Sequence, residues 1–501
     1  MNLKKIIKYT LLVLSVCLAA GIGLFAYNAD SSYKISSDFT SLPLQFDPDA
    51  ASSTYQLQNA QITAYGAYIK GIQNENDNTQ SVLIRALSPL PSVVVKADNP
   101  DTISLRIENI NPDFYAQHVS SSDLAIAKET VNTLKFNVSV NAGQTVRIEP
   151  AQPQIPDLSG NDKYIIMGDN RDGYDTFAQI IQQVNAENPK FVIVNGDLVF
   201  SGKPNQYRLF DKLVSGVSST LCTTLGNHDI RGDNGRGIYA MLYGPAYYSF
   251  DFGGSHFVFL DSSPGWTENQ AVSEEQYAWL ERDLKKAQGK PIFVISHIPP
   301  RDLRSNVTPN EIPNYINQVE DGASWVNSIL NNYDLNKNMN HGFQDPQEAA
   351  RFEKLMSTYH VDTVYLSHIH SYLEYTKDGV RYLISGGAGA ELLSPASYYH
   401  YLIAKIGDIK TVTVVELASP ANNYLARYQA AAQLFATAMY EENPLAVILV
   451  ITGLVLLALL IGIEIYLWKK KPLDAFGRWL LDVGKYGVKH FREVFGQQSG
   501  D

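Results

Sequence analysis

Apolar positions are spread unevenly along the 501 residues. Two stretches are apolar on every face: 9–27, which holds no charge, and 445–468, where Glu464 is the only one. Each is long enough to cross a hydrocarbon layer of about 30 Å as a helix. Between 33 and 152 the pattern takes the two-residue period of strands. Short alternating or apolar runs at 55–57, 81–84, 92–95, 103–107, 134–140 and 145–148 are set apart by turn signals. These are Asp98-Asn99-Pro100, Asn111-Pro112-Asp113 and Asn141-Ala142-Gly143. A β-rich, sandwich-like domain is predicted there. After a Pro-rich joint at Pro150 to Pro156 the pattern becomes strand, loop, amphipathic helix, repeated to about 419, which predicts an α/β domain over 160–419. Ser273 with Gln276, and Asp345 with Pro346 and Glu348, mark helix starts within it. Residues 420–443 predict an Ala-rich helical stalk. The segment 469–501 repeats Phe476, Leu480, Val483, Phe491 and Val494 at helical spacing between basic residues, as a helix on a membrane surface would. A soluble tail docked elsewhere fits the same pattern.

Charge assigns sides. Lys4, Lys5 and Lys8 precede the first apolar stretch, and Lys469, Lys470 and Lys471 follow the second. The positive-inside rule places both ends, 1–8 and 469–501, in the cytoplasm and the catalytic domain outside it, a two-pass protein of the cell membrane. The first stretch is read as an uncleaved anchor. A removed signal peptide is the alternative, against which stand its length and the lack of a small-x-small cleavage site. Outside the two ends lie 30 basic and 47 acidic residues, a net charge of −17. That balance makes a poor platform for nucleic acid, and no nucleic-acid partner is expected. Only Cys17 and Cys222 are present, so no internal disulfide is expected either.

Five polar clusters share one grammar, each following an apolar, strand-like run: Gly168-Asp169, Gly196-Asp197, Gly226-Asn227-His228-Asp229, His297, and Ser367-His368-Ile369-His370. In open α/β sheets ligands gather at the carboxyl ends of strands, so these clusters are expected to converge. Carboxylates, imidazoles and one amide oxygen together suit two divalent cations. The preceding glycines let the backbone turn sharply at each ligand.

In this order the motifs resemble the calcineurin-like metallophosphoesterase superfamily, over roughly 160–405, in the form of a membrane-anchored bacterial-type member. The resemblance implies an α/β fold, a four-layer α-β-β-α sandwich with the site at one edge. It implies two divalent metal ions (Mn, Fe, Zn or similar): Asp169 and His370 on one, Asn227, His297 and His368 on the other, Asp197 bridging. A hydroxide between the metals would hydrolyse phosphate mono- or diesters, with His228 assisting the leaving oxygen and Asp229 orienting His228. The expected partners are a phosphate-ester substrate and the lipid bilayer.

The chain departs from the family at the first motif. Many members have Asp-x-His there, whereas this sequence has Arg171, which cannot ligate a metal. The tyrosine that replaces that histidine in purple acid phosphatases corresponds to Phe200. The first metal site is thus one ligand poor. Arg171 is expected either to hold a substrate phosphate oxygen or to pair with Asp172 or Asp175. Arg231, Arg236 and Arg301 are further candidates for the pocket lining, and the Asn- and Pro-rich segment 301–345 for shaping access. His256 is read as packing, and His118, His341, His360, His400 and His490 as lacking ligand context. A second function fits the same architecture: a surface binding or sensory protein with a catalytically reduced site.

Overall fold

In the computed structural model the described residues are 3–31, 39–74, 80–119, 125–150, 162–232, 234–263, 271–304, 340–392, 397–417 and 424–467. Most of the Pro-rich joint, most of 301–345 and all of the tail 469–501 lie outside them.

The apolar stretches form α1 (Leu3–Ser31) and, near the other end, a helix at Pro444–Leu467, both long and apolar enough to cross a membrane. They pack against each other in one unit. The Ser15 hydroxyl donates to Glu464 at 2.5 Å, and both side chains are buried. Gly453 lets the helices close, since a Cβ there would lie 3.0 Å from the Ile22 side chain. A polar pair facing its partner helix rather than outward is how a carboxyl group is tolerated in an apolar span. A helix at Tyr424–Glu442 lies within the segment 420–443, which was expected to be helical.

The second unit, 35–434, begins with strands. These are β1 (Phe39–Ser41), β2 (Ser52–Gln56), β3 (Ala60–Tyr65), β4 (Ala67–Asn74), β5 (Gln80–Ala86), β6 (Ser92–Ala97), β7 (Asp101–Glu108), β8 (Ala125–Thr130), β9 (Thr133–Val140) and β10 (Thr145–Ile148). They make a six-stranded sheet, β1-β4-β5-β7-β9-β8, and a four-stranded sheet, β10-β6-β3-β2. The Asn111-Pro112-Asp113 turn signal is instead the start of a short helix, α2 (Pro112–His118). Asn111 caps it by accepting from the Phe114 amide at 2.9 Å, so the residue types that make a turn here open a helix.

The α/β part follows. Strands β11 (Lys163–Met167), β12 (Phe191–Asn195) and β13 (Thr220–Thr224) run parallel, with helices α3 (Tyr174–Glu187), α4 (Pro204–Val214) and α5 (Gly235–Tyr243) after them. Next come β14 (Tyr248–Phe252), β15 (Ser255–Phe259), α6 (Glu274–Lys286), β16 (Ile292–Ile295), α7 (Pro346–Thr358), β17 (Thr363–Leu366), β18 (Tyr372–Lys377), β19 (Val380–Ser385), β20 (His400–Lys405) and β21 (Asp408–Glu416). One sheet is ordered β13-β12-β11-β20-β21, with Lys163 opposite Lys405, and the other β14-β15-β16-β17-β19-β18. Alternation along β11 shows how they stack. Tyr164 and Ile166 join a core with Phe257, Phe293 and Tyr365 of the other sheet, while Ile165 and Met167 join Phe177, Ile180 and Phe210 of α3 and α4. On the far side Val258, Val294 and Val364 meet Trp279 and Leu280 of α6 and Phe352 of α7. The layers are therefore α-β-β-α, as the family resemblance implied.

Ser273 caps α6 and Asp345 caps α7 through the Gln276 and Gln347 amides. The return bonds of the two capping boxes are spent elsewhere. Gln276 bonds the backbone of Asp261, and Glu348 accepts from the Ala271 and Val272 amides, so both fasten a loop instead of a helix end.

His256 is more than packing. Its ring lies between Asp251 (2.8 Å) and Asp283 (2.9 Å). Burial works against its charge, but the two carboxylate hydrogen bonds outweigh burial and push it up to about 9. A raised value means that the stabilisation is complete below the ordinary imidazole range and is lost as pH rises through about 9. The chain is expected to lose on the order of 3 kcal/mol between pH 6 and 10 through this group. In urea unfolding the His256→Gln variant should show a flatter pH dependence, and equal slopes would refute the assignment.

Candidate active site

The five clusters all sit where parallel strands end: Asp169 after β11, Asp197 after β12, Asn227 after β13, His297 after β16 and His368 after β17. Asp169 (φ 60°), Arg171 (38°), Asp197 (53°) and His368 (67°) all take left-handed backbone conformations, a concentration of strain typical of functional loops. The glycines serve partly another end than the one expected. Gly196 is left-handed, but Gly226 is needed for space: a Cβ there would come within 2.1 Å of the Asp197 amide nitrogen.

Two groups of ligand atoms form, each within 4.8 Å: Asp169, Asp197 and His370, and Asp197, His297 and His368. Asp197 belongs to both. Asp169 Oδ2 accepts from Ser367 and from the His368 amide (2.7 Å), which aims Oδ1 at His370 Nε2, 3.5 Å away. Two ligand rings are fixed from behind: His297 Nδ1 donates to the Asn195 carbonyl (2.9 Å) and His370 Nδ1 to the Glu391 carbonyl. Each presents Nε2 forward, the usual way of orienting a metal-binding histidine. Asp169 Oδ1, Asp197 Oδ2, Asn227 Oδ1 and His297 Nε2 are buried with no hydrogen-bond partner among the described residues. Buried polar atoms are rarely left so. Asp169, Asp197 and His297 belong to the two ligand groups, a donor set that fits divalent cations, and Asn227 follows β13, the strand beside β12.

Electrostatics agree. Burial opposes charge on His297, but the Asp197 and Asp169 carboxylates override it and push the ring up to about 9. A proton thus stands where a metal would, and metal binding would displace it.

His228 Nδ1 donates to the Phe200 carbonyl (2.6 Å), and its Nε2 accepts from Arg171 Nη1 (3.1 Å). Burial, then Arg171 and Arg231, hold its basicity well below the ordinary imidazole value. Asp229 does not orient His228, contrary to expectation. Its carboxylate accepts from the Val199 (3.0 Å) and Gly226 (2.8 Å) amides, tying the second and third motif loops together. Burial and the nearby Asp197 push that carboxyl up to about 7. Arg171 pairs with neither Asp172 nor Asp175 but with Glu391: Nη2 reaches both carboxylate oxygens, at 2.8 and 2.6 Å. Its guanidinium also lies 5.1 Å from the exposed Phe200 ring.

Glu391 and His341 are the residues that sequence reasoning missed. The His341 ring lies 5.0 Å from that of His368, and its amide is held by Asp302 at 3.0 Å. Two expected pocket arginines are committed elsewhere, Arg236 to Asp261 and Arg301 to Glu353.

Residues 163–372 match the family model for calcineurin-like phosphoesterases. A glycerophosphodiester phosphodiesterase, GpdQ, of Enterobacter lignolyticus (strain SCF1) is 29% identical over 134 residues, 25% of this chain and 48% of that protein. A probable cyclic nucleotide phosphodiesterase of Fibrobacter succinogenes (strain ATCC 19169 / S85) is 25% identical over 126 residues, 23% and 45% of the two chains. The chain thus spans about half the length of these curated relatives. Among solved structures, purple acid phosphatase PPD1 from yellow lupin (Lupinus luteus) aligns with a TM-score of 0.40 at 14% identity, covering 66% of this chain and 71% of that one. With five motif loops meeting at the sheet edges and the match running from β11 to the start of β18, this chain carries a calcineurin-like phosphoesterase domain over residues 163–372.

Proposed function

We propose that the chain is a metal-dependent phosphoesterase that hydrolyses phosphate mono- or diesters, anchored in a membrane by both apolar helices, with its site outside the cytoplasm. The observation that carries this reading is the pair of ligand triads sharing Asp197, lined by buried oxygen and nitrogen atoms with no partner among the described residues. Asp169, Asp197 and His370 would hold one cation, and Asp197, Asn227, His297 and His368 the other. When bound, such cations supply Lewis-acid stabilisation of a phosphoryl group and a nucleophile at neutral pH. The protein's share is to hold the ligands in place through the Asn195 and Glu391 carbonyls, and to keep the fixed charge of Arg171 beside them. The curated relatives that act on phosphodiesters favour a diester as substrate, while the motifs serve monoesters equally.

The reading is tested on the full-length protein in detergent with p-nitrophenyl phosphate and bis-p-nitrophenyl phosphate. Chelation is expected to abolish hydrolysis and manganese to restore it. Turnover that survives complete metal removal, or none with any divalent ion, would sink the proposal.

A further inference from the structure

Single exposed apolar side chains are common on protein surfaces, so their placement says more than their number. Among the described residues of 162–417, only two large apolar side chains stand exposed: Phe200 (41%) and Leu303 (40%). Both belong to motif loops, Phe200 three residues past the shared ligand Asp197 and Leu303 six past His297.

The loop that carries Phe200 is pinned on both sides. Leu198 and Val199 are buried, the Val199 amide donates to Asp229 (3.0 Å), and the Ser201 amide donates to Gln206 (2.8 Å). The Phe200 carbonyl accepts from His228 (2.6 Å). Its ring is thereby held in one place, 5.3 Å from the His228 ring and 5.1 Å from the Arg171 guanidinium, yet open to solvent. A phenyl ring can neither ligate a cation nor make an ordinary hydrogen bond, so what it offers a ligand is apolar area. Leu303 neighbours the second ligand group instead. Asp302 beside it forms a buried ion pair with Arg304 (2.7 Å) and accepts from the His341 amide (3.0 Å), and the His341 ring lies 5.0 Å from that of His368.

We propose that the site selects phosphate esters whose organic part is apolar, with Phe200 as the main specificity-determining contact and Leu303 as a second. The phosphoryl group meets the two ligand groups, and the apolar ester group leaves water against the Phe200 ring. A small polyhydroxy ester finds no hydrogen-bond partner on that ring and gains nothing there. This inference rests on the phosphoesterase reading and names the substrate class of the same site.

The test reads binding first, so it needs no turnover. Methyl-, phenyl- and hexylphosphonate are titrated into the manganese-loaded full-length protein in detergent, followed by calorimetry. The wild type is expected to bind the phenyl or hexyl compound roughly tenfold more tightly than methylphosphonate. Phe200→Ala should cut that preference to about threefold or less, Phe200→Leu should keep part of it, and Leu303→Ala should lower it by a smaller factor. Bound manganese and the unfolding midpoint report that each variant is folded. The second arm compares methyl, phenyl and hexyl p-nitrophenyl phosphate, which share one leaving group, and the ratio of their kcat/KM values should follow the same order. A stronger gain for phenyl marks an aromatic ester group and a stronger gain for hexyl an aliphatic one; both support the proposal. Methylphosphonate binding with no preference for the larger compounds, or a preference that Phe200→Ala leaves whole, would overturn it while the phosphoesterase reading stands. A wild type that binds no phosphonate and hydrolyses no aryl phosphate would remove both.

Discussion

Replacing Asp197 with asparagine is expected to lower kcat/KM for aryl phosphates roughly a thousandfold or more, the equivalent of about 4 kcal/mol in the barrier. The same change should bring both metals down together. Every other ligand belongs to one triad: without His297 the group Asp169, Asp197 and His370 is still whole, and without His370 the group Asp197, His297 and His368 is. Asp197 alone is common to both, buried, with Oδ2 aimed at no protein donor among the described residues. Asparagine keeps the shape and can still accept the His228 amide at Oδ1, 2.9 Å away, so the loop should stay folded. What it lacks is the charge and the second oxygen that a bridge requires. Elemental analysis of the purified variant beside a rate assay checks both halves. Retention of two metals with rates within tenfold of wild type would remove Asp197 from its assigned place.

Asn109→Ala, far from that site, should destabilise the fold by roughly 3 kcal/mol. The Asn109 side chain behaves as an extra strand residue. It donates to the Ala86 carbonyl (2.8 Å) and the Leu221 carbonyl (2.9 Å), and its oxygen accepts from the Leu221 amide (2.9 Å). It thereby closes the free edge of β13 with a residue from the β-rich part. Each such bond is worth about 1 kcal/mol net, and leaving the buried Leu221 groups unpaired adds to the loss. Asn109 is also left-handed (φ 60°), which alanine resists and glycine does not. Asn109→Gly should therefore lose less than Asn109→Ala in chemical unfolding, and an unchanged midpoint for both would refute the role. The two parts share one continuous apolar core, from Ile62 and Tyr68 to Tyr164 and Phe250, so a single transition is expected. For the same reason the α/β part cut off at residue 156 should be poorly soluble, because its Gly244 and Cys222 surface would lose the cover of Tyr68 and Leu87.

The candidate ligands could be brought together in advance because each follows its strand within two to four residues, and strand ends meet by the rules of α/β sheets. Alternation predicted the α/β class, and the layer order came only from the family resemblance. What lay hidden were partners distant in sequence and without a motif. Glu391 follows a Gly- and Ala-rich turn and meets Arg171 across 220 residues, so no local spacing announces it. Asp229 was misread because its neighbour in the chain, His228, is not its neighbour in space; two backbone amides claim the carboxylate first. His341 gave no signal, since its place beside His368 depends on Asp302 holding its amide. The core that the β-rich part shares with the α/β part lay hidden too, because nothing in its strand pattern reveals a shared face.

The pairing of Lys163 with Lys405 carries a consequence for the chain as it is made. Strand β11 finds β12 within some 30 residues, but its other edge stays open until about 240 more have followed. At ribosomal rates of about 5–20 residues per second that wait is on the order of 10–50 s. Until Phe257, Phe293 and Tyr365 have been made, Tyr164 and Ile166 also lack that opposing layer, and a bare strand edge beside an apolar face invites pairing with other chains. The nascent protein's most hazardous interval is thus set by strand order, and it ends only when β20 emerges to cover the strand that leads into Asp169.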